Sequence, residues 1–396
     1  MNLTLANPET ITSNYELKCD HCHTSFNKYE IATFCANCKK PIVVDFIVGS
    51  GLKRSSIELK ERSMWRYAQM LPLLDKRNIV SLGEGWTPIL KMSRLGERLN
   101  LNDLTIKDES FNPTGSFKAR GLSMAISKAK ELNIEACIVP TAGNAGGALS
   151  AYCAKAGMKS IVVMPRHTPD AFKKECKAFG AEVILVDGLI NDCAKVVAEI
   201  KKEKAYFDVS TMKEPYRLEG KKTLGYEIAE QMNWVLPDVI LYPAGGGTGL
   251  IGIWKAFKEM LEMGWISDIP TRMIAVQALN CQPLVSTFNG LQVNAEAYIG
   301  KPSIANGLAV PRPFAEQMML NVLRQSGGLA LSISEEEIID SIKEIALTEG
   351  MLIAPEGAAL LSALKKLIKS KQIARDESVL LLNTGSAYKY LDSFDF

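Results

Sequence analysis

Four short loops hold the residues whose types and spacing could do chemistry. The first, Asn112-Pro113-Thr114-Gly115-Ser116-Phe117-Lys118, leads straight into a helix-like stretch. A lysine at a helix start sits where the positive end of the helix dipole disfavours a second positive charge. That placement suits an amine that must be neutral and nucleophilic, as one forming a Schiff base must be. A solvated surface lysine is the plainer reading, and the turn residues and apolar Phe117 beside it argue the other way. The second loop, Thr141-Ala142-Gly143-Asn144-Ala145-Gly146-Gly147, joins a strand-like run to a helix-like one. Its small residues let backbone amides close on a carboxylate, with Asn144 as a neutral donor beside them. The third, Gly245-Gly246-Gly247-Thr248-Gly249, is a phosphate cradle by type: successive amides and a hydroxyl at a helix N-terminus. It lacks the lysine of a nucleotide P-loop. The fourth, Asn383-Thr384-Gly385-Ser386, ends a strand-like run. Its threonine hydroxyl could hydrogen-bond a ring nitrogen without protonating it; a strand-ending turn is the simpler alternative.

A different chemistry stands near the start. Cys19 and Cys22, then Cys35 and Cys38, form two Cys-x2-Cys pairs separated by twelve residues. Each pair suits a tight knuckle, and two knuckles offer four thiolates to one tetrahedral ion, the ligand set of structural zinc. So small a unit cannot bury enough apolar surface alone, and a metal would supply much of its folding free energy. A knuckle that has lost its metal is the alternative. His21 and His23 are expected to be exposed, because four thiolates complete the shell. Lys18, Lys28, Lys39 and Lys40 are interleaved with Glu16, Asp20 and Glu30, a mixed face that does not call for nucleic acid.

These loops need elements to hold them. β-branched runs recur at 136–140, 160–165, 181–187, 238–247, 273–278 and 378–385, with helix-spaced segments at 119–133, 147–157 and 249–264. Apolar runs too continuous for one-sided strands, separated by amphipathic helices, predict parallel sheets covered on both faces. The expected fold class is α/β with two such lobes, and ligands of open parallel sheets bind where these loops fall, beyond the strands' carboxyl ends. The expected domains are a zinc-ribbon-like segment over 1–48, a polar helical connection over 49–85, and a catalytic region over 86–396 whose smaller lobe spans roughly 120–215.

The bulk properties exclude other classes. The chain has 396 residues, 47% of them hydrophobic, and a net charge of +2, which points to no polyanionic partner. No apolar run approaches a membrane span, and MNLTLANPET lacks a signal peptide's basic-then-apolar pattern. Cys137, Cys153, Cys176, Cys193 and Cys281 are scattered singly, as suits a reducing compartment, so the cytoplasm is expected. Three histidines, His21, His23 and His167, with none in a catalytic loop, exclude a serine-hydrolase triad.

Taken in order, the segments SLGEGWTP, NPTGSFKARG, PTAGNAGGALSAY, EPYRLEGKKTLGYEIAEQ, PAGGGTGLIG and APEGAALLSAL resemble the fold-type II pyridoxal-phosphate (PLP) enzymes, the tryptophan synthase β-like group, and among them the threonine synthases. The resemblance runs from about Ser81 to Tyr388, and the N-terminal ribbon is similar to one found in some members. It implies that Lys118 carries the cofactor and moves protons. It further implies that Asn144 bonds the ring oxygen, Gly245 to Gly249 hold the cofactor phosphate, and Thr384 faces the ring nitrogen. Thr141, Ala142, Gly143 and Ala145 would clamp the substrate carboxylate, and Arg217, with Ser210, would hold a substrate phosphate. The implied reaction converts O-phospho-L-homoserine and water to L-threonine and phosphate, in a homodimer acting on a small amino-acid substrate. Two positions depart from the pattern: Ala119 before Arg120 where the family has Asp, and Glu214 before Pro215 where it often has Asn. The competing readings are another fold-type II lyase or synthase (a threonine or diaminopropionate ammonia-lyase, or a cysteate synthase) and a zinc-ribbon interaction protein on a retired enzyme body. An ion pair of Arg217 with Glu214 or Glu219 is the structural alternative to its phosphate role.

Overall fold

The computed structural model describes residue 11 and residues 14–47, 52–291 and 298–394. The leading residues read for an export signal and the boundary placed at 48/49 lie outside the described residues.

Three sheets form. The first is antiparallel, in the order β2-β1-β3, from β1 (Tyr15–Cys19), β2 (Ser25–Phe26) and β3 (Ile42–Phe46). The chain then lays down β4 (Ile89–Lys91) and β5 (Asp103–Asp108) of a larger sheet. It leaves to build a second sheet from β6 (Ala136–Pro140), β7 (Lys159–Pro165), β8 (Glu182–Val186) and β9 (Phe207–Asp208), all parallel in the order β8-β7-β6-β9. It returns with β10 (Val239–Pro243), β11 (Arg272–Ala278), β12 (Leu329–Ile333) and β13 (Ser378–Asn383). The larger sheet runs β12-β11-β10-β13-β5-β4, parallel except for β4.

Helices cover both parallel sheets: α1 (Ser93–Leu99), α2 (Lys118–Glu131), α3 (Asn144–Ala156), α4 (Asp170–Ala178), α5 (Ile190–Glu203) and α6 (Tyr216–Gln231). They continue as α7 (Thr248–Glu262), α8 (Pro283–Phe288), α9 (Glu316–Gln325), α10 (Glu335–Glu349) and α11 (Pro355–Lys369). Central strands such as β10 are buried along their whole length, which explains their unbroken apolar runs. The two-lobed α/β architecture expected from those runs is the one observed.

The order of strands places the chemistry. β10, β13 and β5 are neighbours, so the glycine run, the Thr384 loop and the loop leading to Lys118 leave the same sheet edge side by side. β6 and β9 are likewise neighbours, bringing the Thr141 loop beside Ser210. All five loops lie at carboxyl ends.

The connection expected to be helical instead forms three short 3-10 turns at Arg54–Ser56, Met64–Met70 and Lys76–Asn78. Its apolar residues decide this: Met64, Trp65, Tyr67 and Met70 are drawn into the surrounding cores, and a regular helix would leave part of that set in water. The ribbon shares one of those cores, with Tyr15, Leu17 and Val44 joining Leu122, Met124 and Tyr152. Tyr15 accepts a hydrogen bond from Lys128 on α2 at 2.9 Å, and the Lys222 ammonium on α6 lies 3.8 Å from the Phe46 ring centroid.

Candidate active site

A cavity of about 290 Å³ opens between the two parallel sheets, where these loops meet. Lys118 is the first residue of α2 and faces it half-buried. The loop that delivers it is laced to the Thr384 loop by backbone bonds, Phe117 N–H to the Thr384 carbonyl at 3.0 Å and Ser386 N–H to the Gly115 carbonyl at 2.9 Å. Loss of hydration, and then the positive charge of Arg217, lower the Lys118 amine from 10.5 to about 8, against an opposing pull from Glu356. An amine in that range is partly unprotonated near neutrality, as the sequence argument required.

Gly245, Gly246, Gly247 and Thr248 line the same cavity at the start of α7. Side chains are excluded here: a Cβ on Gly245 would stand 2.0 Å from the Gly307 carbonyl oxygen, and one on Gly246 would stand 2.7 Å from a Thr211 methyl. Gly247 adopts φ +77°, a left-handed conformation glycine takes freely. Gly249 stands apart from the cavity lining, and its N–H is taken by the Tyr242 hydroxyl at 3.1 Å.

Thr141, Ala142, Gly143, Asn144 and Ala145 also line the cavity, as do Ser210 and Thr384. Asn144 opens α3, and its side-chain oxygen accepts from Lys389 at 3.1 Å; because lysine only donates, that bond turns the amide N–H₂ away from the lysine. Lys389 also donates to the Thr114 carbonyl at 2.6 Å and pairs with Glu175 on α4 at 2.8 Å, tying both lobes together.

Arg217 is placed differently from the sequence expectation. It is buried behind the cavity wall, donating to the Val209 carbonyl at 2.5 Å while its Nε has no partner. Neither expected ion pair forms among the described residues. Glu219 pairs with Lys222 at 2.7 Å, and the Glu214 carboxylate accepts the N–H groups of Tyr216 at 2.6 Å and Arg217 at 3.1 Å. Glu214 therefore caps the start of α6, and burial raises its carboxyl to about 7 against Arg217. This departure from the family pattern serves the helix and stays out of the cavity lining.

Sequence reasoning missed several lining groups. Glu356, in the first turn of α11, accepts from the Gly307 N–H at 2.7 Å and the Tyr390 hydroxyl at 3.0 Å. Burial raises its pKa. An acid inside the Ala/Leu-rich run APEGAALL was the available signal. Lys213, half-buried in the lining with no ion-pair partner among the described residues, and Arg312, also in the lining, carried no local pattern.

In the ribbon the four thiols converge, with all Sγ atoms of Cys19, Cys22, Cys35 and Cys38 within 4.8 Å of one another. Individual separations are 3.4 Å for Cys19–Cys38 and 3.6 Å for Cys22–Cys35, near the roughly 3.8 Å edge of a tetrahedron with zinc–sulfur bonds of about 2.3 Å. His21 and His23 are exposed, as expected.

A lysine of lowered pKa facing a side-chain-free amide cradle, with a threonine hydroxyl on the loop of the adjoining strand, fits a phosphorylated aldehyde cofactor. Residues 80–385 match the family described as "Pyridoxal-phosphate dependent enzyme", and the chain belongs to that family. The chain is 33% identical over 379 residues to the threonine synthase of Methanocaldococcus jannaschii, covering 95% of this chain and 93% of the relative. It is 32% identical over 381 residues to that of Methanosarcina acetivorans, covering 95% and 92%. Among solved structures, a PLP-dependent aspartate racemase superposes with a TM-score of 0.65 at 20% identity, covering 76% of this chain and 90% of that one. The processed form of threonine deaminase isoform 2 from Solanum lycopersicum gives 0.63 at 20%, covering 76% and 79%. The fold is that of the fold-type II PLP enzymes. No helix among the described residues is long and apolar enough to cross a membrane.

Proposed function

We propose that the protein is a threonine synthase, converting O-phospho-L-homoserine and water to L-threonine and phosphate. Similarity to threonine synthases along nearly the whole chain supports the reading. The observation that carries it is a cavity holding cations beyond Lys118, namely Lys213 and Arg312, as a substrate with its own phosphate requires.

When bound, PLP supplies an electron sink conjugated to the substrate's Cα. This chain's residues do the rest. Lys118 holds the cofactor and, when freed as an amine, accepts the Cα proton and returns a proton later. The amides of Gly245 to Gly247, with Thr248, grip the cofactor phosphate at the N-terminus of α7. Asn144 donates to the ring oxygen, and its orientation is held by Lys389. Thr384 meets the ring nitrogen with a neutral hydroxyl, while Thr141 to Ala145 hold the substrate carboxylate. Lys213 receives the departing phosphate, beside Ser210, which must first release the hydroxyl bond it donates to Asp208. Arg217 supports that loop from behind through the Val209 carbonyl and adds positive field. The cysteine cluster holds one structural zinc ion, checked by metal analysis of the purified protein. The family resemblance supports a cytoplasmic homodimer, checked by light scattering.

The deciding assay incubates the holoenzyme with O-phosphohomoserine and quantifies phosphate and threonine. Equimolar release of both is expected. Ammonia from threonine or diaminopropionate, or cysteate from phosphoserine and sulfite, without phosphohomoserine turnover would replace the reading by a neighbouring activity. Lys213→Met should lower kcat/KM for phosphohomoserine about 10- to 100-fold, the value of a charge-assisted phosphate contact.

A further inference from the structure

Lys221 is a buried amine that the chemistry above leaves without a task. It lies on α6, about 1% exposed, and donates to the carbonyl of Phe117, the residue before Lys118. Two glycines bring it there. A Cβ on Gly220 would stand 2.2 Å from the Arg120 carbonyl oxygen, and one on Gly121 would stand 3.0 Å from that of Arg217. Helices α2 and α6 therefore cross backbone against backbone. As a result the Lys221 and Lys118 amines lie 4.3 Å and 4.6 Å from the centroid of the same Phe117 ring.

We propose that Lys221 is a positioning residue for Lys118. It pins the Phe117 carbonyl, and so the first turn of α2 that carries the Lys118 amine. The inference rests on Lys118 being the cofactor-bearing amine, and on no choice of substrate. The charges facing the pair come from every element packed around it: Arg120 on α2, Arg217 on α6, Glu109 from the segment before α2, and Glu356 on α11. Arg120 is already matched by Glu109 and Glu227, which leaves Glu356 as the acid acting on Lys118. Burial, with the charge of Lys118 next, drives the Lys221 amine well below the ordinary lysine range, so it serves the Phe117 carbonyl as a donor and not as a fixed charge.

The test strips the full-length enzyme of cofactor, adds PLP, and follows the rate of visible-absorbance recovery against pH. Lys221→Met removes the donor to the Phe117 carbonyl, whereas Lys221→Gln keeps one. Lys221→Met should recover absorbance about tenfold more slowly than the parent at every pH, with the acid limb left in place, because the amine is mispositioned and its basicity unchanged. Lys221→Gln should restore most of that rate. Recovery by Lys221→Met at the parent's rate, or a loss in Lys221→Gln equal to that in Lys221→Met, whatever happens to their melting temperatures, would overturn the proposal. Lys118→Ala serves as the control: absorbance recovered in that variant would remove the reading of Lys118 itself, a failure separable from that of Lys221.

Discussion

Two buried ionic groups sit two residues apart on the first turn of α2, and they are built in opposite ways. Arg120 and Lys107 meet Glu109 and Glu227 with all four side chains fully buried. Arg120 binds Glu109 at 2.6 Å and Glu227 at 2.6 Å, and Lys107 binds Glu227 at 2.9 Å, the Thr87 carbonyl at 2.6 Å and Gln231 at 2.7 Å. Burial alone would raise Glu227, yet Arg120 and Lys107 hold it near 2. The other group sets Lys118, Lys221 and Arg217 against Glu356, with the Arg217 Nε left unpaired. Matched charges fix α2 in place; unmatched ones keep an amine uncharged. A closed network beside an open one lets a single helix turn be both rigid and reactive.

The comparison breaks most visibly if the two groups are truncated in turn. Lys118→Ala should reduce turnover by at least about 10³-fold, the scale of losing a covalent catalyst, and leave stability unchanged or raised because a costly buried amine is gone. Arg120→Met should do the reverse. It strands Glu109 in the interior and leaves Glu227 with Lys107 as its remaining cation, so urea unfolding should show a loss of about 3–5 kcal/mol. Equal stability losses in the two variants would erase the distinction.

The pH dependence sharpens it. The folded Lys118 amine titrates near 8 and the unfolded one near 10.5, so the folded apoenzyme binds fewer protons in that interval and its stability should rise from pH 8 to pH 10.5. Over the same titration its reactive fraction grows as pH rises, and cofactor capture at pH 7 should run about tenfold below its alkaline plateau. In the matched group Glu227 adds nothing there, because it titrates near pH 2, whereas burial lowers the Lys107 amine too and adds a slope of the same sign. A capture rate still climbing about tenfold per pH unit between pH 8 and 10 would show that Lys118 is no less basic than an ordinary lysine.

What the sequence disclosed and what it hid follow the same division. Glycine runs, a lysine at a helix start and paired cysteines are local patterns, because the φ values, amide access and thiol spacing they serve are set within a few residues. The strands were legible for a related reason: burial on both faces leaves no polar alternation. Lys213, Lys221 and Lys389 gave no such sign, since each acquires its task from a partner brought near by tertiary packing. Lys389 meets Asn144 across 245 positions of chain, and Lys221 meets Phe117 across 104. Arg217 falls outside the cavity lining, because a motif gives the residue and leaves open which way its side chain turns. Glu214 looked like a hazard to a phosphate, and its cap on α6 became visible only once the helix start was in view.

The smallest effect belongs to Lys389, which borrows from both designs. Its ammonium is paired like those of the closed network, with Glu175 at 2.8 Å, yet it reaches the open site through Asn144 at 3.1 Å. Lys389→Met removes the bond that orients Asn144 and, with it, a tie between the turn after β13 and the helices of the smaller sheet. One charge-assisted bond at a partly solvated position contributes about 1 kcal/mol, so KM should rise roughly fivefold with kcat little changed. Glu175→Gln keeps the Asn144 contact and removes only the ionic partner, so it should cost less. If Glu175→Gln were as damaging as Lys389→Met, the tie between lobes would matter more than the orientation of Asn144, and Lys389 would belong with the rigid group after all.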